Sequence, residues 1–168
     1  MARCLSRIEL VCRDPTGLAG FYQAAFGFLK IIEPEDISNQ TNASVRLRLG
    51  QQEIRLVSPR PMGQLYPAHV AGWNPLFQHI AIVVSDMASA YAHLSTIRGW
   101  SPISTSGPQL LPPASGGVDA FKFRDPEGHP LELIAFAPDT APAHWQRLSR
   151  DGCLGIDHSA VSVSGTSR

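Results

Sequence analysis

One unit of sequence is written into this chain twice and then begun a third time, which constrains the fold before any motif is read. Gln78-His79-Ile80-Ala81-Ile82-Val83-Val84-Ser85-Asp86 opens one copy, and Ser6-Arg7-Ile8-Glu9-Leu10-Val11-Cys12-Arg13-Asp14 opens another 72 positions earlier. Asp157-His158-Ser159-Ala160-Val161-Ser162-Val163-Ser164-Gly165 opens a third. A unit of this length is too long for a solenoid repeat and reads as half of a paired domain.

The first copy begins with a strand over 8–11. Asp14 then serves as an N-cap, with Pro15 at the first helical position, where its missing N–H does no harm. Leu18, Phe21, Tyr22, Ala25 and Phe26 follow at the spacing of one apolar helical face, and Gly27 is a natural stop. Strands are predicted over 28–32, 45–49 and 53–57, the last two joined by a turn at Gly50-Gln51. The second copy repeats this βαβββ order. It has a strand over 80–84, Asp86 capping a helix with Met87, Ala90, Tyr91 and Leu94, and strands over 102–105, 118–124 and 131–136. Asp125-Pro126-Glu127-Gly128 marks a hairpin. The extra residues of this copy fall in a loop over 107–117, either a lid or a solvent-facing excursion. A short helical piece is predicted over 143–148.

Composition narrows the function classes. Hydrophobic residues make up 43% of the 168 and charged residues 17%, which fits a globular interior rather than disorder. Lys+Arg and Asp+Glu balance at 14 each, so no global field favours nucleic acid or an anionic membrane. No apolar run reaches the ~18 residues of a spanning helix. Glu9, Arg13 and Asp14 interrupt any secretory core near the N-terminus, so a cytoplasmic protein is expected. Cys4, Cys12 and Cys153 follow no metal or redox spacing and read as inert thiols.

These residues resemble the vicinal oxygen chelate superfamily, which includes glyoxalase I, bleomycin- and fosfomycin-resistance proteins and extradiol dioxygenases. The resemblance spans most of residues 5–137. It is carried by His79–Asp86 ahead of a helix and by Phe121-Lys122-Phe123-Arg124-Asp125-Pro126-Glu127-Gly128-His129-Pro130-Leu131-Glu132-Leu133. It implies an α+β fold in which two paired βαβββ modules form an open, barrel-like, eight-stranded cleft. Residues 5–58 would be the first module, 59–76 a linker, 77–137 the second module, and 138–168 an extension carrying a truncated third opening strand.

Enzymes of the superfamily hold a divalent metal through the first residue of a module's first strand and a Glu on its fourth, which here implies His79 and Glu132. Imidazole and carboxylate suit Fe, Mn, Zn or Ni. The matching first-module positions are Arg7 and Arg55, and a guanidinium has no lone pair to offer a metal. The first expectation is therefore a metal-free cleft for a small anionic or oxygen-rich molecule. Arg7 or Arg55 pairs with Glu132 there, and the other arginine and Phe123 contact the ligand. Such a domain resembles the non-catalytic half of a dioxygenase. The alternative is a metal-dependent lyase, isomerase or extradiol-type dioxygenase on His79 and Glu132, completed by another subunit or by substrate. His158 supplies the third ligand in that case, by strand exchange. A purely structural or dimerisation role is the remaining alternative.

Other residues read more plainly. Glu9 shares a strand face with Arg7 and suits an Arg–Glu structural pair. Arg46 and Arg48 share a face, His129 in the hairpin turn reads as solvated, and Trp73, Trp100 and Trp145 read as packing anchors. An unpaired terminal strand invites pairing with another chain, so a homodimer is expected.

Overall fold

Asp14 caps the first helix as its position predicts, its side chain accepting from the backbone N–H groups of Thr16 and Gly17. Pro15 is the first residue of helix α1 (Pro15–Phe26), and Gly27 ends it at φ 72°, a conformation costly for any residue with a Cβ. The computed structural model describes residues 5–32, 43–59, 61, 78–148 and 152–161. Most of the predicted linker, with Trp73, lies outside these residues.

Around α1 the first module supplies strands β1 (Arg7–Val11), β2 (Leu29–Ile31), β3 (Ala43–Leu49) and β4 (Gln52–Ser58). The second supplies β5 (Gln78–Val84), α2 (Met87–Thr96), β6 (Ser101–Pro102), β7 (Gln109–Leu110), β8 (Asp119–Arg124) and β9 (Pro130–Ala135). A short helix α3 (Ala143–Gln146) leads to β10 (Cys153–Val161), the third opening strand. Asp86 caps α2 through the N–H of Ser89. The 107–117 loop is no free lid: β7 within it pairs with β8.

The architecture is α+β, with strand order β1-β4-β3-β2 in a four-stranded sheet, here sheet A, and β10-β5-β9-β8-β6 in a second, sheet B, where β7 also joins β8. The expected eight strands of one cleft are thus two separate sheets of four and six. Sheet B gains its extra members from β7 and β10, and neither sheet closes into a barrel. No described helix is long and apolar enough to cross a membrane.

Both sheets turn one face to a common core. Leu18, Tyr22 and Phe26 of α1 meet Leu47, Ile54 and Leu56 of sheet A, and the same cluster takes in Ile82, Phe121, Phe123, Leu131 and Leu133 of sheet B. A smaller cluster of Ala81, Val83, Val118, Ala120, Ile134, Trp145 and Leu154 lies on the opposite face of sheet B. Burial pushes the Cys12 thiol up to about 12, in keeping with an inert role.

A polar clamp ties the modules together. The Asp125–Gly128 turn places Asp125 to accept from Tyr22 Oη (3.1 Å), and the His129 Nδ1 faces the same carboxylate at 2.8 Å. His129 Nε2 faces the carbonyl of Val11 at 2.9 Å. Glu127 Oε1 accepts from the backbone N–H groups of Arg13 and Asp14. His129 is buried, correcting the solvated reading, because its turn folds over the β1–α1 junction instead of into water.

Both His129 nitrogens face acceptors, so both must carry protons for the two bonds to form, and the ring is an imidazolium. Burial opposes that charge, but the Asp125 hydrogen bond and charge prevail, raising the pKa above 6.5. The stabilisation is therefore complete below pH 6.5 and is lost as pH rises through the higher folded value. In urea unfolding across pH, His129→Gln is expected to lower stability by about 2 kcal/mol on the acid side and to flatten this dependence. A parent-like pH profile in the variant would exclude a charged clamp.

Candidate functional site

Alternation divides the residues of sheet B between two faces. Ile80, Ile82 and Val84 turn with Leu131 and Leu133 to the helix-covered core. His79 and Ala81 take the other face, where Glu132 stands in register with Ala81. Lys122 lies across the β8–β9 hairpin from Glu132. Strand β10 runs antiparallel along the free side of β5 and sets His158 beside Ala81.

His79, Glu132 and His158 consequently meet, one ligand-type atom from each lying within 4.8 Å of the other two. His79 Nε2 is 3.0 Å from Glu132 Oε2, while Lys122 Nζ contacts the other oxygen, Oε1. Burial works against ionisation of Glu132, but the hydrogen bonds from His79 and Lys122 outweigh it and hold the carboxyl below its ordinary range. The two imidazoles meet edge to face with centroids 5.6 Å apart.

His158 is oriented from behind. A register shift between Ile156 and His158 brings Asp157 Oδ2 within 2.9 Å of His158 Nδ1. Trp145 Nε1 donates to Asp157 Oδ1 at 2.7 Å. The His158 hydrogen bond lowers the Asp157 pKa against the opposing effect of burial. A carboxylate at Nδ1 selects the tautomer whose Nε2 keeps a lone pair for a ligand.

This donor set fits a divalent metal. Two imidazoles and a carboxylate form a recognised coordination triad, and a 3.0 Å His79–Glu132 separation suits two donors bonded to one ion at about 2.1 Å. His158 is 43% exposed on an edge strand, with room to close the remaining distance. Two hollows lie elsewhere, of about 610 Å³ between α1 and α2 and about 770 Å³ beside α2 and the 107–117 loop. None of the triad lines either of them, so donor chemistry and not cavity size singles out this face.

Comparison with solved structures now has a geometry to meet. A member of the glyoxalase/bleomycin resistance protein/dioxygenase superfamily from Sphaerobacter thermophilus superposes with a TM-score of 0.59 at 22% identity, over 81% of this chain and 98% of that one. The fosfomycin resistance protein FosX from Listeria monocytogenes gives 0.54 at 17% identity, over 82% and 94%. TioX from Micromonospora sp. ML1 gives 0.54 at 20%, over 80% and 100%. The chain has the vicinal oxygen chelate fold. No family profile and no curated protein sequence matches it.

Within this vicinal oxygen chelate fold, several expected contacts are replaced by others. Neither Arg7 nor Arg55 pairs with Glu132. Both belong to sheet A, where Arg7 binds Glu53 and Arg55 binds Glu9. Register explains it, since Arg7 stands against Glu53 and Glu9 against Arg55. The expected cation beside Glu132 is Lys122, which counting back through the hairpin would have found. Phe123 points the opposite way from Lys122 and is fully buried in the core against Phe26, Phe121 and Trp100, so it does not reach a ligand on the triad's face. His158 needs no strand exchange, because β10 returns to β5 of its own chain. Asp157 as the partner of His158, and Trp145 as the donor behind Asp157, were missed; only the adjacency of Asp157 left a trace in the sequence.

Gly155 lets β10 lie where it does. A Cβ there would fall 2.6 Å from Gln52 Oε1 and 2.8 Å from the Trp145 ring. Gly155→Ala is expected to cost about 1–3 kcal/mol through overpacking and to speed hydrogen exchange along β10. Unchanged unfolding and exchange would mean that the strand is not seated against Trp145.

Proposed function

We propose that the open face of sheet B binds one divalent metal ion on His79, Glu132 and His158, and that a small oxygen-rich, anionic molecule is turned over against it. The reaction class is that of a lyase, isomerase or extradiol-type dioxygenase. The convergence of three ligand-type atoms from β5, β9 and β10 carries this reading. When bound, the ion supplies Lewis-acid polarisation of a substrate oxygen.

The chain's own residues prepare the rest. Glu132 presents Oε2 towards His79 and keeps Oε1 on Lys122, so the carboxylate is held in one orientation. Asp157 holds the tautomer of His158. Lys122 is partly exposed on the same face and provides a fixed positive charge for a carboxylate, phosphate or enolate oxygen. Val83, Ala120 and Ile134 are buried with Trp145 and Leu154 and pack the part of that face beside the triad.

Metal-stripped protein titrated with Zn²⁺, Mn²⁺, Ni²⁺ or, without oxygen, Fe²⁺ should bind one ion per chain. His158→Ala and Glu132→Gln should abolish stoichiometric binding, and Asp157→Asn should weaken it by about 10–100-fold. Full binding by His158→Ala would remove the triad from the argument. No binding by the parent would leave the metal-free anion receptor, with Lys122 in the place expected for an arginine.

A further inference from the structure

The end of sheet B beside the 107–117 loop is left uncovered by α2. Leu110 of β7, Asp119 of β8 and Ala135 of β9 stand directly across from one another there. Alternation places this row with Phe121 and Leu133, on the helix side of the sheet and opposite the face of His79, Glu132 and His158. Tyr91 of α2 covers Phe121, with ring centroids 4.8 Å apart. One row further on, Asp119 is exposed and Leu110 is 72% exposed.

The hollow of about 770 Å³ stands over this row, and a volume of that order is what small-molecule sites have. Met87 and Tyr91 form one wall and Pro108 part of the other. That second wall belongs to the stretch that lengthens the second copy of the repeat.

The charges of the hollow have one sign. Asp86 stands at one end, where hydrogen bonds from the Ser89 hydroxyl and N–H hold its carboxyl below the ordinary range. Its carboxylate is committed to capping α2, so the positive end of that helix is already answered. Asp119 is the carboxylate left over, and among the described residues its side chain makes no hydrogen bond or ion pair. No basic side chain among the described residues lines the hollow, so an anion would find no counter-charge there. Tyr91 adds an aromatic ring whose hydroxyl makes no hydrogen bond among the described residues.

We propose that this hollow binds a small organic cation, a protonated or quaternary amine on an apolar body, with Asp119 as its counter-ion and Tyr91 against its apolar part. A carboxylate beside an aromatic ring favours such a group over an uncharged one of the same shape. The exposed Leu110 then gains an apolar cover. The site lies on the other face of sheet B from the triad, so it stands or falls independently of any metal.

Benzyltrimethylammonium is the probe, with benzyl alcohol and phenylacetate as its uncharged and anionic counterparts. Titrated into the isotope-labelled full chain, it should shift the amide signals of Tyr91, Leu110 and Asp119 and leave those of His79 and His158 in place. The two counterparts should bind at least about tenfold more weakly. Asp119→Asn keeps the side-chain size and should weaken probe binding about tenfold without moving the unfolding midpoint. Leu110→Lys sets an ammonium directly across from Asp119 and should abolish binding. Equal binding of the three compounds, no shift at these amides, or parent-like affinity in either variant overturns the proposal.

Discussion

The antiparallel pairing of β5 with β10 is the contact on which the candidate site depends. It covers the open edge of sheet B, carries His158 to His79 and Glu132, and seats Asp157 and Trp145 behind that histidine. Two register shifts interrupt it. Bulges bend an edge strand and re-aim its side chains, and here one of them brings Asp157 and His158 into contact. The same irregularity makes the outer side of β10 a poor template for further strands, which is a useful property in an edge.

The two sheets carry their charges differently. On the open face of sheet A, Glu53 accepts from Arg7, Arg46 and Arg48, and the last two hold its pKa down to about 2. With Arg55 and Glu9 the face carries four arginines against two glutamates, all engaged in ion pairs. The matching face of sheet B has one buried acid, two imidazoles and one lysine. The repeated backbone thus carries a surplus of arginine on one copy and a balanced lysine and glutamate beside two imidazoles on the other, and the imidazoles offer neutral lone pairs to a cation.

Periodicity and capping residues made the modules legible in the sequence. Asp14, Pro15, Gly27 and Asp86 act locally, so a sequence window contains nearly all the physics that fixes the two helices. His79 and Glu132 are placed by the family resemblance, which implies a ligand at the start of a module's first strand and a Glu on its fourth. The partners were harder. Lys122 follows from the β8–β9 hairpin register, whereas Arg7 and Arg55 are kept from Glu132 by acids one strand away within their own sheet. His129 looked like a turn residue because nothing in its neighbourhood announces the carbonyl of Val11, distant in sequence. The helical piece before β10 was visible, but the role of Trp145 depends on Asp157, which only the folded chain supplies.

Because His158 rides on a strand that, among the described residues, is joined to its sheet along one side only, binding at the proposed site and order of that strand would be thermodynamically linked. Anything that bridges β10 to β5 and β9 lends its binding free energy to the docked arrangement, and fraying of β10 subtracts from affinity by the same amount. In the proposed metal site β10 would serve as a latch whose closure is read out by whatever it helps to hold.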